Sequence, residues 1–532
     1  MRIKLILSLT GTIIAFFGLT FLLPIAVGLF MGEQIQNIGW MFGFPMFLCL
    51  LMGSFLHYYF HSEEDIRNRE AFLLVTVVWI TMVLIGALPF VAAEKLSLMS
   101  YKIGIAGAIF ESMSGLSTTG ATIFDLETPE NDLEDLKNPV QYADGYFDAP
   151  KSLLLWRSQT QWLGGMGIIV LATIIFSRLF GGGIQVLQAE MPGTGITRLK
   201  PQMAQTARLL WSLYFLMTIV EITLLTLFAE VPLYDSICNS FSTVSTGGFS
   251  PQRDSIGSYD SPLAVGIVTF FMLISGINFV ILYYVFNHWI DFSKSFTKRV
   301  RISFQVLREN DELRFYLSLV FISFSLIFVN LILDTKNEEN GMTHFLNASF
   351  QTISLLTGTG FTTTNYMDWP KMSIFVLLLA MFTGGCAGST TGGIKMVRIM
   401  LLFKALKREL LLVIHPRAVI KLRIGDKVLD EGLFRNVGVF FFIFIILFLL
   451  GSLVTLYLEA DNPNVDVNII DGISISLSCL ANIGPGIGVI GPTGTYSLLG
   501  DSTLIFLSAL MMLGRLEIIT VLLLFYPDTY RD

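Results

Sequence analysis

The chain has 532 residues, 53% of them hydrophobic and 14% charged, with a formal net charge of −7 and a mean hydropathy of +0.68. A soluble domain carries roughly 25% charged residues, so a soluble globular protein is excluded, and the apolar residues fall into runs of the ~20 residues that a bilayer demands. The four cysteines, Cys49, Cys238, Cys386 and Cys479, lie in or beside apolar runs without a C-x-x-C pair, so neither a disulfide framework nor a zinc site is indicated. No nucleic-acid partner is expected.

In chain order, the first apolar run, Leu5 to Met31, follows Arg2 and Lys4. It is too long for a signal-peptide core and lacks a small-residue cleavage site, so it is read as a retained span. Further long runs cover 39–60, 72–93, 153–179, 207–230, 262–289, 314–334, 370–403, 434–458 and 501–526. Between four pairs of these lie half-length, Ser/Thr-rich stretches ending in glycine: Ala106 to Gly120, Tyr234 to Gly247, His344 to Gly360 and Ile470 to Gly484. They are too short to span and too apolar for ordinary loops, as re-entrant segments are.

Lysines and arginines fix the orientation. Most fall at the N-terminus, in the loops around 61–71, 178–208, 290–314 and 398–435, or at the C-terminus, whereas Lys95, Lys102, Lys137, Lys151, Arg253, Lys336 and Lys371 fall on the other side. By the positive-inside rule both termini are cytoplasmic, and all four half-length stretches enter from outside. Span, half-helix and span thus recur four times in one orientation, the terminal glycines lying 127, 113 and 124 residues apart. The expected architecture is an all-α polytopic membrane protein. Two extra N-terminal spans (1–66) precede four parallel span–pore half-helix–span repeats around a central pore, at 67–200, 201–310, 311–430 and 431–532.

Aligned on the terminal glycine, the loops read Ser117-Thr118-Thr119-Gly120-Ala121, Val244-Ser245-Thr246-Gly247-Gly248-Phe249, Thr357-Gly358-Thr359-Gly360-Phe361 and Ala481-Asn482-Ile483-Gly484-Pro485-Gly486. A dehydrated cation needs a ring of oxygens, and backbone carbonyls supply them without a fixed charge that traps the ion. Glycine permits the backbone angles that point successive carbonyls one way, and the negative end of each half-helix favours a cation. The candidate ion-binding residues are Thr118, Thr119, Gly120, Ser245, Thr246, Gly247, Gly358, Thr359, Gly360, Asn482, Ile483 and Gly484. The competing reading, small residues packing helices, has to apply four times over.

With these loops, the segment Arg157-Ser158-Gln159-Thr160-Gln161-Trp162-Leu163-Gly164-Gly165-Met166-Gly167 and the segment Gly384-Gly385-Cys386-Ala387-Gly388-Ser389-Thr390-Thr391-Gly392-Gly393-Ile394-Lys395, the chain resembles the Trk/Ktr/HKT superfamily of potassium transporters over about 72–526. The two extra N-terminal spans make it most similar to the TrkH-type pore subunit. The resemblance implies potassium as the transported ion, held by backbone carbonyls, since glycine at all four filter positions goes with potassium preference in that family. No covalently bound cofactor is expected. It also implies a homodimer in a bacterial cytoplasmic (inner) membrane and a cytoplasmic ring of nucleotide-binding, TrkA-like regulatory subunits. Ile483 departs from the Thr-Gly pattern, and the 125–150 segment is longer than the family leads one to expect.

Gly384 to Lys395 lacks the adjacent Gly-Lys-Ser/Thr of a phosphate-binding loop and lies inside a run, 370–403, too long for one straight span. A break there, exposing polar backbone beneath the filter, explains both features, and the resemblance makes it an intramembrane gating loop. The gating candidates are Gly384, Gly385, Gly388, Ser389, Thr390, Thr391, Gly392, Gly393, Lys395 and Arg515. Arg515 is a charge at membrane depth, which needs a cavity or a partner. Glu517, two residues on, does not share its helix face. Counted inward from Pro370 and Asp501, Gly384 and Arg515 reach the same depth, so loop and guanidinium are expected in one layer.

The stretch Asp125 to Asp148, rich in acids, reads as a solvated outer loop or a cation-gathering mouth. The basic stretches 294–314 and 398–435 suit lipid headgroups or a cytoplasmic partner. Two alternatives stand beside passive uptake: proton- or sodium-coupled potassium symport, and a membrane-embedded enzyme. Against the enzyme, His57, His61, His288, His344 and His415 form no H-E-x-x-H pair.

Overall fold

The structure, a computed structural model, describes residues 3–60, 68–99, 101–124, 145–179, 203–290, 295–334, 340–418, 420, 423–424, 427–428 and 431–527. It is all-α apart from one two-residue ladder that pairs Arg423–Ile424 with Lys427–Val428, and it is a polytopic membrane protein. Among the described residues, six helical stretches are long and apolar enough to cross a bilayer: Ile3–Phe30, Ile35–Tyr59, Glu70–Lys95, Arg208–Phe228, Asp311–Leu333 and Phe434–Leu458.

The N-terminal pair, α1 (Ile3–Leu19, continued by Leu22–Phe30) and α2 (Phe44–Tyr59), packs closely through small residues. A Cβ on Gly11 would stand 2.7 Å from the Gly53 carbonyl oxygen, and one on Gly53 2.6 Å from that of Gly11. Polar contacts bolt the pair to the first repeat. The Glu33 carboxylate accepts from the Ser152 N–H at 2.9 Å, the Gln159 amide donates to the Thr20 carbonyl at 2.7 Å, and Phe21 stacks on Trp156 at 4.4 Å.

Each repeat then follows one plan. The first comprises α3 (Asn68–Lys95), half-helix α4 (Gly104–Leu116) and α5 (Lys151–Leu179). The second comprises α6 (Met203–Phe228), half-helix α7 (Leu233–Val244) and the bent pair α8 (Pro262–Ser275) and α9 (Phe279–Ile290). A surface helix, α10 (Phe296–Glu309), leads into the third repeat: α11 (Asp311–Ile332), half-helix α12 (Gly341–Leu356), α13 (Lys371–Met381) and α14 (Met396–Ile414). The fourth comprises α15 (Glu431–Leu458), half-helix α16 (Ile469–Ala481), α17 (Asp501–Arg515) and the turn-length α18 (Ile519–Leu522).

The half-helices have 12 to 16 residues, about 18–24 Å at the helical rise, short of the ~30 Å hydrocarbon core. Local chemistry starts the elements. Asn468 and Asp471 form a reciprocal capping box on α16, Ser261 caps α8 with Pro262 at its first position, and Asn310 caps α11.

Two runs expected as single spans are broken. The 262–289 run bends by 112° at residues 276–278. The 501–526 run stops at Arg515, with Glu517 (φ 61°) and Ile518 (φ 49°) left-handed before α18. The 370–403 run is broken, as expected, between Met381 and Met396. The physical reason is mutual satisfaction of backbone groups, the condition on which irregular backbone is tolerated at membrane depth. Cys386 N–H donates to the Gly276 carbonyl at 2.8 Å and Phe279 N–H to the Gly388 carbonyl at 3.2 Å, so the breaks of repeats two and three supply each other's partners.

Candidate ion filter and intramembrane loop

The four half-helices end alike. An N–H reaches back five residues to a serine carbonyl: Thr119 to Ser114 (2.9 Å), Gly247 to Ser242 (2.7 Å), Thr359 to Ser354 (2.8 Å) and Ile483 to Ser478 (3.0 Å). This is the Schellman closure, in which the residue before the donor is left-handed. Here that residue is Thr118 (φ 52°), Thr246 (54°), Gly358 (69°) or Asn482 (55°). Threonine in this region is costly, roughly 1–2 kcal/mol each, and such strain collects at functional sites.

Two residues on, the chain is left-handed again at Gly120 (φ 82°), Gly248 (84°), Gly360 (82°) and Gly484 (96°). The second loop therefore differs by one residue from the sequence expectation: Gly248, not Gly247, is the counterpart of Gly120, Gly360 and Gly484. Gly247 matches Thr119, and Ser245 matches Ser117. Adjacent glycines both allow the turn, and only the count from Ser242 distinguishes them.

The loops close a ring. A Cβ on Gly120 would lie 2.2 Å from the Gly247 carbonyl oxygen, on Gly248 2.0 Å from Thr359 O, on Gly360 2.2 Å from Ile483 O, and on Gly484 2.6 Å from Thr119 O. Each glycine thus faces the carbonyl of the next loop, from one to two, two to three, three to four and four back to one. The same four glycines line one cavity, with Phe249 and Tyr496 in its wall.

Side chains hold the ring from behind. Gln161 donates to the Gly247 carbonyl at 2.7 Å and accepts from Phe249 N–H at 3.0 Å. Asn482 links loops four and one, donating to Thr119 Oγ1 and to the Met511 carbonyl, each at 3.0 Å. The Gly484 carbonyl accepts from Tyr496 (2.8 Å) and Ser478 (2.5 Å). Arg157, fully buried, pairs with Glu111 at 2.7 Å, donates to Thr122 Oγ1 at 2.9 Å and lies over the Phe124 and Phe249 rings. Glu111 in turn accepts from Ile123 N–H at 3.0 Å, fixing the segment that leaves the first loop. The segment 157–167 signalled these residues without revealing their roles. Glu111 carried no signal.

Beneath the ring lies the 383–395 segment. Thr390 Oγ1 meets the Val244 carbonyl (3.2 Å) and Thr246 Oγ1 (3.3 Å), and Gly392 is so close to the fourth loop that a Cβ would stand 2.3 Å from Ala481 O. Gly384 N–H bonds the Ile394 carbonyl and Gly385 N–H the Thr391 hydroxyl, while Ser389 bonds both Cys386 O and Thr391. Gly388 (φ 76°) and Gly393 (φ 65°) make the two left-handed bends. The Lys395 ammonium folds back onto Thr391.

Arg515, 2% exposed, donates to the Thr390 carbonyl at 2.8 Å and to Gly164 O at 3.4 Å. Loop and guanidinium share a layer, as depth counting predicts. Glu517 pairs not with Arg515 but with Arg398 at the head of α14. Of the acidic outer stretch, residues 125–144 lie outside the described residues, and Asp148 is buried rather than solvated. Among the described residues no group of three or more His, Cys, Asp or Glu side chains could hold a metal ion. The ring offers backbone oxygens instead.

The comparisons with known proteins cover the whole chain. The family model described as "TrkH: Cation transport protein" matches residues 41–530. The Trk system potassium uptake protein TrkH of Salmonella typhimurium is 34% identical over 536 residues, spanning 100% of both chains. TrkG of Escherichia coli K12 is 32% identical, over 100% of this chain and 99% of that one. The crystal structure of the potassium transporter TrkH from Vibrio parahaemolyticus aligns with a TM-score of 0.81 and 31% identity, covering 100% of each. With four half-helices closing one ring and a relative matched end to end, the chain belongs to the TrkH family of cation transport proteins.

Proposed function

We propose that this chain takes up potassium across a bacterial cytoplasmic membrane, through the four-loop ring and past the 383–395 segment. The family is one of transporters, not enzymes, and its relatives carry the name of potassium uptake proteins. The observation that carries the reading is the closed cycle of glycine-to-carbonyl contacts, Gly120 to Gly247, Gly248 to Thr359, Gly360 to Ile483 and Gly484 to Thr119. Four backbone oxygens around one axis replace hydration water for a monovalent cation without a trapping charge. The filter set is Thr118–Gly120, Thr246–Gly248, Gly358–Gly360 and Asn482–Gly484. Potassium is cargo, and no other cofactor enters the mechanism.

The gate in this reading is the pair formed by the Gly384–Lys395 loop and Arg515. The loop tip sits against the second and fourth pore loops, and the guanidinium bonded to Thr390 repels a cation from below. Both termini face the cytoplasm, the repeats divide at 67–200, 201–310, 311–430 and 431–532, and the assembly is a homodimer. A ring of nucleotide-binding regulatory subunits docks from the cytoplasm and moves the loop. Purified protein in liposomes, with imposed potassium, sodium and proton gradients, tests the proposal. Potassium-selective flux down its own gradient is expected. Flux that requires a proton or sodium gradient establishes symport instead, and absence of potassium flux removes the reading.

A further inference from the structure

Resting on that gate reading, we infer that Glu312, at the head of α11, is the far-side anchor of the intramembrane loop and a positioning residue of the gate. Its side chain is fully buried. One carboxylate oxygen, Oε1, accepts from Ala387 N–H at 2.7 Å and from Val397 N–H at 3.1 Å. Ala387 belongs to the loop's outer bend, and Val397 to the first turn of α14. A single oxygen therefore joins the middle of the loop to the helix that resumes the span. In doing so it satisfies two backbone donors that the break leaves without helical partners.

The chemistry is complementary to that of Arg515. The loop's free carbonyl at Thr390 is taken by a cation on the pore side, 2.8 Å away, and its free N–H at Ala387 by an anion on the opposite side. Both are charge-assisted bonds, stronger than neutral ones, and neither partner belongs to the loop itself. Between them the Asn278–Phe279 break receives the bend, through the bond from Phe279 N–H to Gly388 O. Beyond its own internal bonds, the loop is thus held between two fixed charges that lie outside it.

The neighbouring residues strengthen the anchor's footing. Asn310 accepts from Leu313 N–H at 2.7 Å and so caps α11, and Asp311 bonds Lys404, two turns into α14, at 2.7 Å. Asp311 and Glu312 together tie the start of repeat three to α14, the helix that a cytoplasmic partner would pull. At the opposite edge the Arg398–Glu517 pair ties α14 to the break after Arg515. Displacement of α14 then acts on the loop directly through Glu312, with no long chain of intermediates.

The test is potassium flux from purified Glu312→Leu, Glu312→Gln and Arg515→Ala protein in liposomes, with sodium flux measured in parallel. Glu312→Gln keeps an acceptor oxygen at the same reach but loses the charge, and its flux should fall between the parent and Glu312→Leu. Glu312→Leu loses both bonds and should raise basal potassium flux roughly tenfold, the shift expected when charge-assisted bonds are lost from one state only. The potassium-to-sodium ratio should not move, because the ring is untouched. Should the leucine variant fail to insert, Glu312→Asp withdraws the oxygen by one methylene and carries the same expectation. Parental flux from the variants that lack the reach, alongside raised flux from Arg515→Ala, overturns the anchor and leaves the gate standing. Parental flux from Arg515→Ala as well overturns both. A changed ion ratio in Glu312→Leu overturns the anchor too, since it places the defect in the filter.

Discussion

Gly248→Ser is the sharpest probe of the ring, because the sequence, aligned on the glycine after Thr246, places the second filter glycine at Gly247 and the backbone places it at Gly248. At Gly248 the perturbation is twofold. The residue has φ 84°, and its Cβ would stand 2.0 Å from the Thr359 carbonyl oxygen. Holding a non-glycine residue left-handed costs roughly 1–2 kcal/mol, and in a close-packed interior the overlap forces the carbonyl to move by about an ångström or more. That oxygen belongs to the third loop, so the damage passes to a neighbouring ring member. A side chain at Gly247 meets the Gln161 side chain, 2.4 Å from its Cδ, at an ordinary negative φ. A loss of about 1.4 kcal/mol in ion preference is a tenfold change in the potassium-to-sodium ratio, and Gly248→Ser is expected to lose at least that much. Gly247→Ser, which presses on the Gln161 side chain rather than directly on a ring carbonyl, should lose less. The assay is paired potassium and sodium flux in liposomes on protein shown to be folded by size-exclusion chromatography. Parental selectivity in Gly248→Ser, with selectivity lost in Gly247→Ser, would refute the register and with it the ring.

Gln161→Leu removes the donor to the Gly247 carbonyl and the acceptor for Phe249 N–H, so selectivity in the same flux assay should fall by several fold while insertion is retained. Arg157→Met leaves Glu111 as an uncompensated buried charge. Breaking such a pair typically costs about 3–5 kcal/mol, which should show as a markedly lower unfolding temperature in detergent, whereas Glu111→Gln with Arg157→Met should recover part of it. Arg515→Ala, or a loop trimmed within 388–393, should raise basal potassium flux and weaken control by a cytoplasmic partner, and parental conduction from both would reduce the loop to packing. Single cysteines at Glu130, which lies outside the described residues, and at Lys407 should label from opposite sides of the membrane. Labelling from one side overturns the orientation.

Much of this was legible because the strongest signals are local. Half-length apolar stretches, glycine at the end of each and the segregation of lysine and arginine all survive in a single sequence, since each reflects a constraint on a few consecutive residues. The break in 370–403 showed because it carries five glycines between 384 and 393 and no run of apolar residues. The breaks at 276–278 and 516–518 stayed hidden because Ile277, Leu516 and Ile518 continue the apolar pattern across them. What makes those breaks tolerable comes from elsewhere in the chain: Cys386 for Gly276, Gly388 for Phe279. The register at Gly247 and Gly248 was ambiguous for a similar reason. The partner that distinguishes them, the Ser242 carbonyl, lies five residues upstream of Gly247, and its significance shows only when Ser114, Ser354 and Ser478 are set beside it.

The repeats also explain why the inner spans break where they do. Gly164, Gly276, Gly384 and Gly514 lie 13 or 14 residues beyond Lys151, Pro262, Lys371 and Asp501, at one depth in each second span. In repeats one and four a Cβ there would press the last turn of the half-helix, 1.8 Å from Leu116 O and 2.0 Å from Leu480 O. Glycine lets the span approach the half-helix C-terminus, and so it sets how far each loop reaches toward the axis. In repeats two and three other groups fill that approach: the Tyr316 hydroxyl would lie 2.4 Å from a Cβ on Gly276, and the Gly392 carbonyl 2.0 Å from one on Gly384. Helix stops within three residues of this level in repeats two, three and four, at Ser275, Met381 and Arg515, whereas α5 continues through it. The backbone freed in repeats two and three is satisfied by the partner break, as Cys386 N–H is by the Gly276 carbonyl. The glycine thus brings span against half-helix in repeats one and four, and in all four repeats it marks the level near which three of the four spans open.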